Sequence, residues 1–137
     1  MSALAVVERW LDAMSRRDLE AAVACFASDY EDVTPTRPGQ EFRGAERVRA
    51  NLSALFAAVP DLRARVLRSV EHGDEVWIEW RLEGTRSDGS AFAMAGVNIF
   101  GVHAGQIAWG RIYTEQVREA GDIDEQIDRM TRGNAEA

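Results

Sequence analysis

Residues 62–117 read LRARVLRSVEHGDEVWIEWRLEGTRSDGSAFAMAGVNIFGVHAGQIAWGRIYTEQV, and they are the most informative part of the chain about its fold. Three short sequences interrupt it: HGD at 72–74, SDG at 87–89 and HAG at 103–105. Short turns that contain glycine join strands that are antiparallel neighbours. The stretch therefore predicts four long strands that follow one another in an antiparallel meander.

The residues on either side of this meander carry the periodicity of helices. Residues 3–15 place apolar side chains every three or four positions, as an amphipathic helix does. The segments 18–27 and 45–58 predict a second, shorter helix and a third helix, and 121–133 predicts a C-terminal helix. Between the second and third helices, the alternation in 28–34 predicts one short strand.

This order of elements indicates the α+β class, with helices segregated on one face of a curved antiparallel sheet. Three N-terminal helices can cover part of the concave face and leave a cone-shaped cavity. The length of 137 residues predicts a single domain that spans 1–137.

Composition excludes several functional classes. All 16 basic residues are arginine, and 23 acidic residues give a net charge of −7. This balance argues against nucleic acid or an anionic membrane as a partner, because both require a positive surface. The absence of lysine excludes Schiff-base chemistry, and one cysteine with two histidines offers little for a metal site. We expect no metal and no cofactor.

The N-terminal segment does not have the character of a targeting peptide, since Glu8, Arg9 and Asp12 interrupt its apolar residues. No stretch approaches the roughly 20 apolar residues that a membrane span requires. We therefore expect a cytoplasmic protein that does not bind membranes.

Three stretches carry a resemblance to a known family: VVERWLDAMSRRDLEAAVACFASDY at 6–30, FRGAERVRANLSALFAAVPDL at 42–62 and GVNIFGVHAGQIAWGRIYTE at 96–115. With the order of elements, they resemble the NTF2-like superfamily, in its SnoaL-like and ketosteroid-isomerase-like branch. The resemblance implies an NTF2-like cone. It leaves the activity open, because this superfamily includes isomerases, cyclases, epoxide hydrolases, dehydratases and non-catalytic adaptors.

The catalytic positions that the resemblance implies hold other residues here. Trp10 stands where ketosteroid isomerases have an oxyanion-hole tyrosine, and Thr34 where they have the general-base aspartate. Their second acid would fall at Val97 or Asn98, and Asn98 also replaces the histidine of the polyketide cyclases. Ile112 stands where the epoxide hydrolases have their final aspartate. The chain thus resembles the scaffold without any of these three catalytic sets.

Alternation along the first predicted strand suggests a different catalytic group. Tyr30, Asp32 and Thr34 share one face. An inward Asp32 in an apolar pocket would have a raised pKa and could act as a general base; the alternative is a solvated aspartate at a strand edge. Tyr30 and Asn98 could donate hydrogen bonds to a developing oxyanion. Asn98 is the polar member of an apolar row, so either the protein or a ligand must satisfy it.

The residues predicted to bind substrate are Trp10, Met14, Thr34, Trp80, Met94 and Ile112. They lie on the first helix and on the cavity-facing side of several strands. Trp80 could stack on a flat ligand, and plain core packing is the alternative.

The last strand has two possible orientations. In the register that the resemblance implies, the cavity-facing set is Ala108, Gly110, Ile112 and Thr114. The opposite set is Trp109, Arg111, Tyr113 and Glu115, whose composition is typical of a dimer interface. A bulge that shifted the register would instead turn Arg111, Tyr113 and Glu115 inward as a catalytic set.

We therefore expect a small SnoaL-like enzyme that binds a hydrophobic molecule and forms a homodimer. It would use cofactor-free acid–base catalysis for a cyclisation, isomerisation, dehydration or hydration. The alternative is a non-catalytic ligand-binding or dimerisation module on the same fold.

Overall fold

A computed structural model describes residues 1–119 and 121–133, so residue 120 and the last four residues of the expected domain 1–137 lie outside it. The helices are α1 (Ala3–Ser15), α2 (Leu19–Val23), α3 (Ala45–Ala58) and α4 (Ile123–Thr131). The strands are β1 (Phe26–Val33), β2 (Phe42–Arg43), β3 (Arg63–His72), β4 (Glu75–Thr85), β5 (Ala91–His103) and β6 (Gln106–Gln116).

The predicted order of elements is confirmed, and two local expectations are corrected. The second helix ends at Val23 and does not continue to residue 27, because Phe26 already pairs with Ile107 of β6. The two-residue strand β2 was not predicted; its pattern is too short to show alternation. Asp18 caps α2, because its side chain accepts a hydrogen bond from the backbone N–H of Ala21 at 3.1 Å.

The six strands form one sheet in the order β2-β1-β6-β5-β4-β3. Strands β3 to β6 are the predicted antiparallel meander. The β1–β6 pair is parallel, so the sheet is not antiparallel throughout as expected. The chain between these two strands includes α3 and the four strands β2 to β5, which is ample for the crossover that a parallel pair requires. This pairing places β1 beside β6, and both strands contribute residues to the candidate site.

The core lies between the concave face of the sheet and the helices. Strand β4 shows the predicted alternation: Ile78 and Trp80 are buried, whereas Trp77 on the other face is exposed. Helix α1 packs mainly on β3 and α2, and α3 packs on α2 and β1. Helix α4 has no buried residue. None of the helices in the described part of the chain is long and apolar enough to cross a membrane.

Candidate active site

The sheet, α1 and α3 surround a cavity of about 230 Å³. Its apolar lining consists of Trp10, Met14, Phe26, Phe42, Val48, Leu52, Leu55, Trp80, Leu82, Met94, Phe100 and Ile112. Its polar lining consists of Tyr30, Asp32, Thr34, Asn51, Asn98 and Thr114. A mostly apolar cavity with a few polar groups has the composition of a small-molecule site.

Two surface grooves share lining residues with the cavity. In the direction of α4, Met94 and Ile112 also line a groove whose outer part carries Arg37 and Glu115. These two residues form an exposed ion pair with 3.0 Å between Nη2 and Oε2. In the direction of β2, Asp32 lines both the cavity and a second groove. The Asp32 carboxylate therefore lies where the cavity meets the surface.

Tyr30 and Asp32 form a hydrogen-bonded pair on the cavity face of β1. They are two residues apart on one strand, so their side chains leave the same face. Tyr30 Oη donates to Asp32 Oδ2 at 2.8 Å. Gly110 on β6 leaves room for this hydroxyl, since a Cβ there would lie 2.4 Å from Tyr30 Oη. The absence of a side chain at residue 110 is thus part of how the pair is positioned.

The apolar surroundings change the acidity of both groups. Burial raises the pKa of Asp32 to about 6, although the hydrogen bond from Tyr30 partly opposes this rise. Burial, with the nearby charge of Asp32, also raises the pKa of Tyr30. Tyr30 therefore stays protonated and Asp32 changes its charge near pH 6. A carboxylate with this pKa is a stronger base than an exposed one and is still ionised at neutral pH.

A second polar cluster crosses three strands and carries no charge. Trp80 Nε1 on β4 donates to Thr114 Oγ1 on β6 at 2.7 Å. Thr114 Oγ1 in turn donates to Asn98 Oδ1 on β5 at 2.8 Å. Asn98 is 2% exposed and Thr114 8% exposed, so the indole N–H, the hydroxyl and the amide oxygen are satisfied by each other and not by bulk water.

This cluster fixes the orientation of the Asn98 amide. The backbone N–H of Tyr113 also donates to Asn98 Oδ1, at 3.4 Å. Both neighbours are donors, so the amide oxygen must face them and the amide nitrogen must face away. Among the described residues the Asn98 nitrogen has no hydrogen-bond acceptor, and Asn98 lines the cavity. Asn98 can thus present two N–H groups to a ligand.

All nine residues predicted to be catalytic or to bind substrate lie around this one cavity. They are Asp32, Tyr30, Asn98, Trp10, Met14, Thr34, Trp80, Met94 and Ile112. One expected role changes: the Tyr30 hydroxyl donates to Asp32, so its proton is not available for an oxyanion. Strand alternation gives the face of a side chain but not its partner, which is why this bond was not anticipated.

The alternative orientation of β6 is not the one observed. Strands β5 and β6 pair in continuous register from Met94↔Gln116 to Gly101↔Trp109. The register change comes only after Gly101, too late to affect residues 111–115. Arg111, Tyr113 and Glu115 are consequently exposed and do not line the cavity.

Two polar residues of the site were not among the predicted ones. Asn51 on α3 lines both the cavity and the groove near β2. It lies three residues after Val48 and four before Leu55, so the helical stripe that predicted α3 could have revealed it. Thr114 had been assigned to the correct face, but its role in holding Asn98 depends on contacts across three strands.

The site combines one ionisable base with neutral hydrogen-bond donors. The residues present offer no obvious metal ligands, since within 1–119 and 121–133 no three His, Cys, Asp or Glu side chains are grouped to hold an ion. A proton could move to Asp32 while charge develops elsewhere on a ligand. This is the arrangement that general-base catalysis requires.

Comparison with known families gives one match over most of the chain. A family described as the SnoaL-like domain matches residues 7–110. No curated protein sequence matches the chain.

Comparison with solved structures finds the same fold in several proteins. The LEH-like epoxide hydrolase of Mycobacterium tuberculosis is 19% identical, with a TM-score of 0.70, over 96% of this chain and 91% of that chain. A putative SnoaL-like polyketide cyclase from Jannaschia sp. CCS1 is 20% identical, with a TM-score of 0.69, over 82% of this chain and 85% of that chain.

A third solved structure contains a ligand. It is a Mycobacterium tuberculosis protein in complex with estradiol-17beta-hemisuccinate, 22% identical, with a TM-score of 0.70, over 90% of this chain and 95% of that chain. Identities this low show the fold alone. They confirm the expected NTF2-like cone, which is also the fold of a protein from Exiguobacterium sp. 255-15.

Proposed function

This chain belongs to the SnoaL-like domain family, and we propose that it is a cofactor-free enzyme that removes a proton from a small apolar substrate. The reaction would be a cyclisation, isomerisation, dehydration or hydration. One observation carries the proposal: the Asp32 carboxylate lines an apolar cavity, and burial raises its pKa to about 6. A group with that pKa is ionised at neutral pH and can accept a proton.

The two polar clusters would act in sequence. Asp32 takes a proton from carbon or oxygen of the substrate, and the Tyr30 hydroxyl holds the carboxylate in place at 2.8 Å. Negative charge then develops on the substrate. The Asn98 amide, fixed by Thr114, donates a hydrogen bond to that charge. When the proton is returned at another position, the substrate is isomerised.

The size of the cavity limits the substrate. A volume of about 230 Å³ is below the roughly 300–1,000 Å³ of sites that hold drug-sized ligands. The substrate would be smaller than the steroid ester held by the Mycobacterium tuberculosis protein, or it would extend through one of the two grooves. The Trp80 and Trp10 rings, which contact each other with 5.4 Å between their centroids, would together form part of its apolar wall.

One observation favours a second candidate, a non-catalytic ligand-binding module. Among the described residues that line the cavity, Asp32 and Tyr30 are the only ionisable ones. No second acid or base is available to return a proton, so Asp32 would have to perform both steps. A binding module would use the same cavity without this demand.

We also propose that the protein is a homodimer whose interface is the convex face of the sheet. Val70 and Trp77 are cross-strand partners there, and both side chains are exposed. Tyr113 is exposed on β6. Aromatic residues are enriched in interfaces. Sedimentation of the wild type and of Trp77→Glu would test this, with a shift of the variant to monomer as the expected result.

The catalytic proposal is tested with an activated substrate that needs only a base. In 5-nitrobenzisoxazole, removal of the proton next to the ring nitrogen forms a nitrile, breaks the N–O bond and releases a coloured phenolate. We expect kcat/KM to fall about 10²- to 10⁴-fold in Asp32→Asn. Asp29→Asn is the matched control, since Asp29 is an exposed residue of the same strand. Equal rates for wild type and Asp32→Asn would overturn the catalytic reading and leave the binding module.

A further inference from the structure

The groove on the α4 side of the site is larger than the cavity. Its volume is about 1010 Å³, compared with about 230 Å³ for the cavity. The two spaces share four lining residues: Thr34, Met94, Ile112 and Thr114. The groove therefore adjoins the cavity and has room for the part of a ligand that the cavity is too small to hold.

The groove and the cavity differ in the chemistry of their linings. The cavity lining is mostly apolar and, within the described part of the chain, contains no cationic side chain. The groove lining contains three arginines and three glutamines, which are Arg37, Arg118, Arg129, Gln40, Gln116 and Gln126. A ligand that occupied both spaces would therefore need an apolar end for the cavity and a polar end for the groove.

The two carboxylates of the groove have partners within the protein. Glu115 accepts hydrogen bonds from Arg37, with 3.0 Å from Nη2 to Oε2 and 3.4 Å from Nε to Oε1. Asp122 accepts a hydrogen bond from the backbone N–H of Glu125 at 2.9 Å and so caps α4. A guanidinium offsets the first charge and a helix N-terminus offsets the second, so neither carboxylate acts on a ligand as an isolated charge.

Arg118 differs from these residues because it has no partner in the described part of the chain. It is exposed, it lines the groove, and it forms neither a hydrogen bond nor an ion pair there. The backbone beside it is fixed, since the N–H of Val117 donates to the carbonyl oxygen of Ala93 at 2.9 Å. A guanidinium presents its N–H groups in a planar fork that fits the two oxygens of a carboxylate.

The glutamine side chains of the groove add neutral donors. The amides of Gln40, Gln116 and Gln126 also form no hydrogen bond with residues that the structure describes. Each amide can donate two N–H groups without carrying a charge. Arg118 and these amides together offer one cation and several neutral donors to an anionic group.

The groove near β2 is less suited to an anion. Asp32 and Glu41 both line it, and Asp32 is ionised at neutral pH. Arg43 in that groove already pairs with Glu31. Arg47 also lies there, but an anion beside it would be repelled by the Asp32 carboxylate. The groove on the α4 side does not include Asp32, so it is the better place for a negative charge.

We propose that the groove on the α4 side binds the carboxylate of a substrate whose apolar end fills the cavity, with Arg118 as the cation that selects it. This deepens the proposed function and rests on it, since the apolar end takes the same cavity as the ligand site. The substrate class is then a monocarboxylic acid with an apolar body. The carboxylate does not react; its binding holds the apolar body against Asp32.

The test compares two ligands that differ in one end group. 6-Phenylhexanoate and 6-phenylhexan-1-ol have the same ring and chain length, and only the first carries a carboxylate. We expect calorimetry to show that the wild type binds the carboxylate about two- to fivefold more tightly, which is the effect of an exposed ion pair. This preference should decrease as salt is added, because salt screens exposed charges.

Two variants locate the carboxylate. Arg118→Gln should remove the preference by weakening binding of 6-phenylhexanoate, and it should leave the affinity for the alcohol unchanged. Arg47→Gln is the matched control, since it removes the same charge from an exposed residue of the groove near β2. We expect Arg47→Gln to keep the wild-type preference. Both arginines are exposed, so neither substitution disturbs the core.

Several outcomes would overturn the inference. They are equal affinity of the wild type for the two ligands, binding of neither ligand, and a preference that survives Arg118→Gln. Equal losses in Arg118→Gln and Arg47→Gln would show an effect of net charge alone, and a loss only in Arg47→Gln would place the carboxylate near β2. In each case turnover of 5-nitrobenzisoxazole that depends on Asp32 would leave the proposed function intact. A preference that depends on Arg118 without such turnover would support the carboxylate site and overturn the catalytic proposal alone.

Discussion

Two polar clusters share the cavity, and they differ in charge and in what they do to the fold. Trp80, Thr114 and Asn98 are neutral and hydrogen-bonded to one another across three strands. Tyr30 and Asp32 lie on one strand and place a carboxylate in apolar surroundings. The neutral cluster stabilises the fold because each bond satisfies a buried group. The charged cluster reduces stability at neutral pH because the carboxylate is partly desolvated.

This difference shows how the two functions of the site are divided. Stable, satisfied groups can orient a donor at low cost, as Thr114 orients Asn98. A strong base must be held in a poor solvent, so its reactivity and its destabilising effect have the same origin. Substitutions in the neutral cluster should therefore lower stability, whereas substitution of the base should raise it.

The largest expected effect is the loss of the hydroxyl that joins the neutral cluster. Thr114→Val keeps the shape of the side chain but leaves Trp80 Nε1 without an acceptor and removes the main donor to Asn98 Oδ1. We expect the free energy of unfolding in urea to fall by about 2–4 kcal/mol. Thr36→Val, at an exposed threonine, should change it by less than about 0.5 kcal/mol. Equal effects of the two substitutions would contradict the assigned role of Thr114.

The next effect concerns the bond within the charged cluster. Tyr30→Phe removes the donor that lowers the pKa of Asp32, and we expect that pKa to rise from about 6 to about 7 or above, since one hydrogen bond to a charged group is worth about 1.5–3 kcal/mol. Carboxyl ¹³C NMR of the Asp32 side chain would measure the change. An unchanged or lower pKa would show that Tyr30 does not stabilise the carboxylate.

Removing the charge of Asp32 should stabilise the protein, with a dependence on pH. The pKa of Asp32 in the folded protein, about 6, lies above the ordinary value of 3.8. Between these two pH values the folded protein therefore keeps the Asp32 proton, whereas the unfolded chain has released it. The stability that this proton contributes is present below about pH 4 and is lost as the pH rises through about 6. After allowance for partial exposure, the free energy of unfolding of Asp32→Asn relative to the wild type should be about 1–2 kcal/mol higher at pH 8 than at pH 4. Urea unfolding of both proteins at both pH values measures this change. A variant that is less stable than the wild type at pH 8 would show that the Asp32 carboxylate does not destabilise the fold.

The smallest effect should come from an ion pair outside the cavity. Arg37 and Glu115 are about half exposed and 3.0 Å apart. Glu115→Gln should change the free energy of unfolding by less than about 1 kcal/mol, and it should leave turnover of 5-nitrobenzisoxazole unchanged. A large loss of activity would show that the catalytic groups include residues of the groove outside the cavity, beyond the two clusters.

Much of the fold was predictable because it depends on local patterns. The helix at 45–58 and the turns at HGD, SDG and HAG are visible in the sequence, and strand alternation placed Trp80 and Ile112 on the cavity side. The parallel β1–β6 pair was not predictable in this way, since it joins residues that are far apart in the chain.

The partners within the site could not be predicted for the same reason. Trp80 and Thr114 are 34 residues apart, and Thr114 and Asn98 are 16 apart. Periodicity shows that these side chains face the cavity, but the bond between them depends on the register of three strands. The hydrogen bond from Tyr30 to Asp32 is local, yet it changes the expected role of Tyr30. Tyr30 was expected to donate a hydrogen bond to the substrate, and it donates one to the base instead.

The pH dependence of kcat/KM for 5-nitrobenzisoxazole shows directly whether Asp32 is the base. This ratio reports the pKa of the essential base in the free enzyme. We expect kcat/KM to rise through a midpoint near pH 6 and then to stay level, and we expect Asp32→Asn to lack this rise. A midpoint near the ordinary value of 3.8, or a variant that keeps the wild-type profile, would contradict the assignment of Asp32 as a desolvated general base.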